Sequence, residues 1–181
     1  MADPQPFIPV KLICGIMASQ ERVFRNSEER LIQIYGNPDS QSPLFSFDFT
    51  DYYEKQMGKN LKRKFLSFQN LVEPEKLSTI KRDTNRLEEE IKEEFQSSHR
   101  IVNLDPGYLT SASLIMATAK DFSHRIPLGD GIYAHLEFLF GKDEVRTLDW
   151  TYPDFKSKDY QVYFLEVRQL YLAQLKNKPT K

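Results

Sequence analysis

Lys120-Asp121 and His124-Arg125 put a proton-transfer group, an acid and two cations within six residues of each other. An imidazole titrates near neutral pH and suits general acid or base work. Lysine and arginine suit the binding of a phosphate or carboxylate. The plainer reading is a charged connection between two strands whose groups only solvate a turn. Three other places carry the same kind of chemistry. Asp48-Phe49-Thr50-Asp51-Tyr52-Tyr53-Glu54 interleaves acids with aromatics. Lys81, Asn85 and Glu88 fall one and two helical turns apart on one stripe, where they could line a cleft or pair along the helix. Asn103-Leu104-Asp105-Pro106-Gly107-Tyr108 contains a turn signal, since Pro presets φ and Gly accepts positive φ. The candidate catalytic residues are therefore His124, Asp105 and Asp48. The candidate ligand-binding residues are Tyr52, Glu54, Lys81, Asn85, Lys120, Arg125 and Asp154.

Sharper signatures are absent. The chain has no Gly-x-x-x-x-Gly-Lys-Ser/Thr, no His-Glu-x-x-His and no Gly-x-Ser-x-Gly. Gly129-Asp130-Gly131 fits a turn better than a dinucleotide fingerprint. His99, His124 and His135 lack zinc-like spacing. A divalent metal held by Asp48, Asp105 or Asp121 stays open, because oxygen ligands need no fixed spacing.

These side chains need elements to hold them. Val10 to Ala18 reads as a buried strand. Asn26-Ser27-Glu28-Glu29 predicts a helix start and Gly36-Asn37-Pro38 its stop. Phe45 to Phe49 alternates as a half-buried strand carrying Asp48, paired with a second strand over Leu61 to Phe68. Pro74 opens a long helix with Leu77, Ile80, Thr84, Leu87, Ile91 and Phe95 on its inner face. The acidic run from Glu88 reads as a solvated face. Strands are expected over Arg100 to Leu104, Ala112 to Ala119 and Ile132 to Phe140. A last helix is expected from Lys158 to Lys176, with Tyr160, Tyr163, Phe164, Val167, Leu170, Tyr171 and Leu175 as its core stripe. The predicted fold is α+β: a largely antiparallel sheet with helices on one face. Its core would be a ferredoxin-like β-α-β-β-α-β unit, followed by a hairpin and the C-terminal helix.

The 181 residues fit one domain, 1–181, and a 40% hydrophobic content supports a sizeable core. Net charge is −1, which gives no bulk pull toward nucleic acid or anionic membrane. Cys14, the only cysteine, excludes an intrachain disulfide and reads as an inert buried thiol in an apolar run. The N-terminal residues lack signal-peptide features, and no apolar run approaches the ~20 residues of a membrane helix. A cytoplasmic setting is expected.

The chain resembles a family of small uncharacterised microbial proteins defined only as a domain of unknown function. The resemblance spans nearly the whole chain. It rests on Phe47-Asp48-Phe49-Thr50-Asp51-Tyr52-Tyr53 with Met57-Gly58, and on Ile80-Lys81 with Thr84-Asn85 and Glu88. It continues through Asn103-Leu104-Asp105-Pro106-Gly107-Tyr108, Lys120-Asp121 with His124-Arg125, Gly131-Ile132-Tyr133-Ala134 and Thr151-Tyr152-Pro153-Asp154-Phe155. In that family an acid commonly follows the Gly-Ile-Tyr-Ala segment, where this chain departs with His135. The resemblance implies membership and no particular reaction.

Two functions are expected from different classes, with a third weighed against them. The first is an enzyme or ligand-binding protein for an anionic or phosphorylated small molecule, in which Lys and Arg bind the anion and His or Asp moves a proton. The second is a non-catalytic interaction domain using Tyr52, Tyr53, Trp150, Tyr152 and Phe155 as anchors. The third is RNA binding through Lys62-Arg63-Lys64 beside Phe65, which the charge balance argues against.

Overall fold

A computed structural model of the chain describes residues 3–49 and 53–177. β1 (Val10–Ala18) is buried along its whole length and lies between β4 (Lys62–Val72) and β5 (Val102–Leu109), antiparallel to both. Alternate residues of β1 feed opposite cores. Leu12, Cys14 and Ile16 pack under α1 (Glu21–Tyr35) and α3 (Leu77–Glu94), while Ile13 packs under α4 (Lys158–Lys176). The helices thus cover both faces of the sheet rather than the single face expected. The reason lies in the strands: a run buried on both sides must be covered on both.

β2 (Pro38–Gln41) adds to the outer edge of β4. The order β2-β4-β1-β5, with α1 between β1 and β2 and α3 between β4 and β5, is that of a ferredoxin-like unit, with Pro38–Gln41 in the place expected for the strand at Phe45 to Phe49. Beyond β5 the sheet continues through β6 (Ser113–Thr118), β8 (Ile132–Phe140) and β7 (Ile126–Gly129), with β9 (Val145–Thr147) on β8. Every pairing is antiparallel.

Three local expectations are corrected. α1 begins at Glu21, not near Asn26, and Ser27 is buried in its interior with its hydroxyl donating to the Val23 carbonyl at 2.7 Å. A serine satisfied by the preceding turn does not end a helix. β3 is only Phe45–Ser46, opposite Arg63 and Lys62 at the start of β4; one further backbone bond follows, from the Phe47 N–H to the Leu61 carbonyl at 2.9 Å, before Asp48. Asp48 is therefore an exposed residue beyond a strand, not part of one. The Asp105-Pro106-Gly107 turn is not a turn. All three residues lie within β5, opposite Gly15, Cys14 and Ile13 of β1.

Candidate ligand-binding cleft

The sheet forks. β5 pairs with β6 only over residues 107–109, whereas β6 runs on to Thr118 against β8. N-terminal to Gly107, β5 has β1 on one side and a cleft of about 830 Å³ where β6 has moved away. Asn103 and Asp105 line one arm of the fork, and Met116 through Lys120 line the other. α3 contributes Lys81, Asn85 and Glu88. Phe47, Phe49 and Tyr53 close one side, and Tyr152 through Phe155 close another.

The fork explains the Asp-Pro-Gly triplet. In-plane backbone groups alternate along a strand, so Leu104 and Pro106 point away from β1 if Asp105 and Gly107 point toward it. Leu104 does so: its N–H donates to Glu88 Oε1 at 2.6 Å, and its carbonyl accepts from Lys81 Nζ at 2.7 Å. Two side chains of α3 replace the missing strand. Pro106, which has no N–H, falls at the next such position, where β6 has not yet paired. Gly107 then meets β6 so closely that an added Cβ would lie 2.5 Å from both the Ile115 carbonyl oxygen and Met116 Sδ.

Arg63 binds the two sides of the cleft together. Its guanidinium donates to Asp105 Oδ2 at 2.7 Å, donates to Asp154 Oδ2 as well, and lies over the Phe47 ring. Asn103 Nδ2 also donates to Asp105 Oδ2, at 2.5 Å, and Lys81 Nζ stands 3.7 Å from Oδ1. Burial disfavours the Asp105 carboxylate, but Lys81, Arg63 and Arg100 outweigh it and hold the group below the usual carboxylate range. Burial likewise opposes the Arg63 charge, and Asp154 and Asp105 overcome it. Burial dominates at Glu88 and pushes it up, although Lys81, Arg100 and the Leu104 N–H pull it back. Arg100 donates to Glu88 at 2.6 Å and to Asn103.

The wall at 150–155 is docked on β8 and on the segment before β7. Thr151 Oγ1 donates to the Glu137 carbonyl, and Trp150 Nε1 donates to the Leu136 carbonyl at 2.8 Å. The Tyr152 N–H donates to Glu137 Oε1 at 2.7 Å. The Tyr152 ring stacks on His135, with centroids 5.0 Å apart, and its hydroxyl accepts from Arg125 at 2.6 Å.

Of the candidate residues, Asp105, Lys81, Asn85, Lys120 and Asp154 come together in the cleft. His124 does not line it; its ring stacks on Trp150 behind the wall. Arg125 sits beside it and holds Tyr152, Lys120 through its carbonyl, and His135. Asp48 and Glu54 are exposed and outside the lining. Tyr52 lies outside the described residues. Among the described residues, no group of three or more His, Cys, Asp or Glu side chains could hold a metal ion; Asp105 bonds Arg63 and Asn103 instead. The Lys62-Arg63-Lys64 triplet forms no open basic surface either, since Arg63 is buried and Lys64 pairs with Glu28 at 2.8 Å. Burial pushes the Cys14 thiol up, so it carries no thiolate at neutral pH.

Sequence reasoning noted Arg63 and His135 near its polar segments but gave them no catalytic or ligand-binding role, and it did not single out Arg100 or Glu137. Glu137 lies between Leu136 and Phe138, and Arg63 shares its buried side of the strand with Leu61 and Phe65, two residues away on either hand; a charge at such a position is the signal that would have marked them.

The fold and cleft define an α+β protein with an opening in its sheet of the size small-molecule sites have. Residues 8–171 match a family described as Domain of unknown function (DUF4416), and the chain belongs to that family. No curated protein and no solved structure matches it. Among the described residues, no helix is long and apolar enough to cross a membrane.

Proposed function

We propose that this protein is an enzyme or ligand-binding protein whose substrate, an anionic or phosphorylated small molecule, occupies the forked-strand cleft. The observation that carries the reading is the gathering of Lys81, Asn85, Asp105, Lys120 and Asp154 from separate elements around one opening. Four cations line it (Arg63, Lys81, Arg100 and Lys120) against four acids (Glu88, Glu89, Asp105 and Asp154). That balance suits one anionic group on an otherwise neutral molecule rather than a polyanion. Lys120, exposed on the rim, is the anion's first contact; Lys81 keeps donors beyond its bond to Leu104. Asp105, held ionised, accepts a hydrogen bond from the ligand. The cleft does not suit an added peptide strand, because Lys81 and Glu88 already occupy the Leu104 backbone groups that such a strand would need. A cytoplasmic setting belongs to the same proposal, supported by a lone buried thiol that forms no disulfide.

Calorimetric titration with inorganic phosphate and ribose 5-phosphate tests the reading. Binding by the wild type, weakened about tenfold or more in Lys120→Glu, is the expected result. Identical binding by the two proteins, or none by either, would remove it.

A second reading, an interaction domain, is favoured by the edge strand β7. Ile126 and Leu128 are exposed there beside exposed Phe122. Sedimentation of the wild type and of Ile126→Lys would separate association through this edge from none.

A further inference from the structure

We propose that the molecule bound in the cleft carries a planar heteroaromatic ring, stacked on Tyr152, together with its anionic group. This rests on the reading of the cleft as an anion-binding site and adds the class of molecule.

The argument starts from how Tyr152 is held. One face of its ring is covered by His135, with the planes only 18° apart. Its hydroxyl is fixed by Arg125 and its backbone N–H by Glu137. Even so, the residue is 38% exposed and lines the cleft. A ring fixed on one face and at both ends is a rigid platform whose other face is left for a partner. Such a surface loses little conformational freedom when something stacks on it.

Further aromatic surface stands on another side of the opening. Phe49 is 43% exposed, and Tyr53 lies beneath Lys120 Nζ, which is 5.8 Å from its ring centroid. Leaving this much aromatic area in water has a cost that a bound planar group would relieve. Lys120 is placed beside the aromatics, where it can meet an anion tethered to the same ring. Hydrogen-bonding capacity for a ring edge is also present. Asn85 lines the cleft with no hydrogen bond among the described residues, and its amide offers two donors and an acceptor. An aliphatic phosphate would use the cations and leave both the platform and the amide idle. A nucleobase bearing a phosphate would use all three, and a cleft of about 830 Å³ has room for it.

The test compares adenosine 5′-monophosphate with ribose 5-phosphate by calorimetry, on the wild type, Tyr152→Phe, Tyr152→Leu and Phe49→Ala. The wild type should bind the nucleotide at least about tenfold more tightly than the sugar phosphate, the margin that one stacked base supplies. Tyr152→Phe, which keeps the ring, should stay within about twofold of the wild type. Tyr152→Leu should lose about tenfold for the nucleotide and nothing for the sugar phosphate. Phe49→Ala, an exposed position that leaves the folded wall intact, should lose affinity in the same selective way. Equal affinity for the two ligands would overturn the ring while leaving the anion site standing. Binding of neither would remove both.

Discussion

His135 Nε2 lies 3.2 Å from Glu137 Oε2, with both side chains fully buried on β8 beneath the cleft wall. Burial is the first cause of both shifts: it pushes the Glu137 carboxyl up to about 8 and the His135 imidazole down to about 4. Arg125 and His124 add to the His135 shift. Around Glu137 the Tyr152 N–H, Arg63 and Arg125 favour the charged form, and Asp154 opposes it. Between those two pH values the pair carries no charge.

The pair makes stability depend on pH in two opposed ways. Native Glu137 keeps a proton that the unfolded chain releases above its ordinary value of 4.5, so its contribution falls as pH rises toward about 8. Native His135 refuses a proton that the unfolded chain takes up below 6.5, so its contribution falls as pH drops toward about 4. Between pH 6.5 and 8 only the Glu137 slope acts. The melting temperature should fall over that interval, and Glu137→Gln, which can still accept from the Tyr152 N–H, should flatten the decline. Circular dichroism melts at half-unit pH steps check this; parallel profiles for the two proteins would contradict it.

Phe164 should be among the residues on which stability most depends. It is fully buried on α4, with ring centroids 5.0 Å from Phe65, 5.6 Å from Phe138 and 5.7 Å from Phe155. Phe164→Ala should cost about 3–5 kcal/mol. Urea denaturation would show it as a lower midpoint at an unchanged slope.

How far the fold could be read depended on whether the pattern was local. The bounds of β1 and α4 were legible to the residue, because an unbroken apolar run and a repeating aromatic stripe reflect their own burial, although Leu170, expected in that stripe, is exposed. The polar side of α3 was half legible: the spacing of Lys81, Asn85 and Glu88 marked one stripe, but the partner of Lys81 and Glu88 is the backbone of Leu104, which no periodicity reveals. The Asp-Pro-Gly triplet misled because its turn chemistry is ordinarily sound. Here a tertiary feature, the departure of β6, made a strand edge that tolerates proline and a strand crossing that demands glycine. Arg63 was hidden between two lysines that face water or pair elsewhere, since the period-2 pleat separates neighbours that composition groups together. His124 drew notice for its ordinary titration range, yet it serves as a stacking partner for Trp150.

Gly107→Ala should destabilise the fork where β5 meets β6, Met116 being the cleft side chain it meets. The new methyl would meet the Ile115 carbonyl oxygen at 2.5 Å, a backbone atom that cannot swing aside, and Met116 Sδ at the same distance. Overpacking of this kind costs about 1–3 kcal/mol. Thermal melts should show the loss, and hydrogen exchange should show it concentrated at the β5–β6 pairing. Wild-type protection of residues 107–109 in the variant would contradict the close approach.

Arg63→Met should be the most damaging single change in the cleft. It keeps an apolar stem of the kind arginine has but removes the guanidinium that lies over Phe47, and it leaves Asp105 and Asp154 without their shared cation. Removing one partner of a buried ion pair costs about 3–5 kcal/mol, because the remaining charge stays out of water. The loss should therefore depend on pH. At pH 7 the variant must hold Asp154 unpaired, and Asp105 with only Lys81 and Asn103 beside it, or protonate them; as pH falls toward 5, protonation becomes easier and the gap to the wild type should narrow. Pairing Arg63→Met with Asp154→Asn should recover part of the stability at pH 7, since one of the stranded charges is gone. Urea denaturation of all three proteins at pH 5 and 7 decides the matter. A pH-independent loss with no recovery in the double variant would mean that Arg63 acts through packing alone.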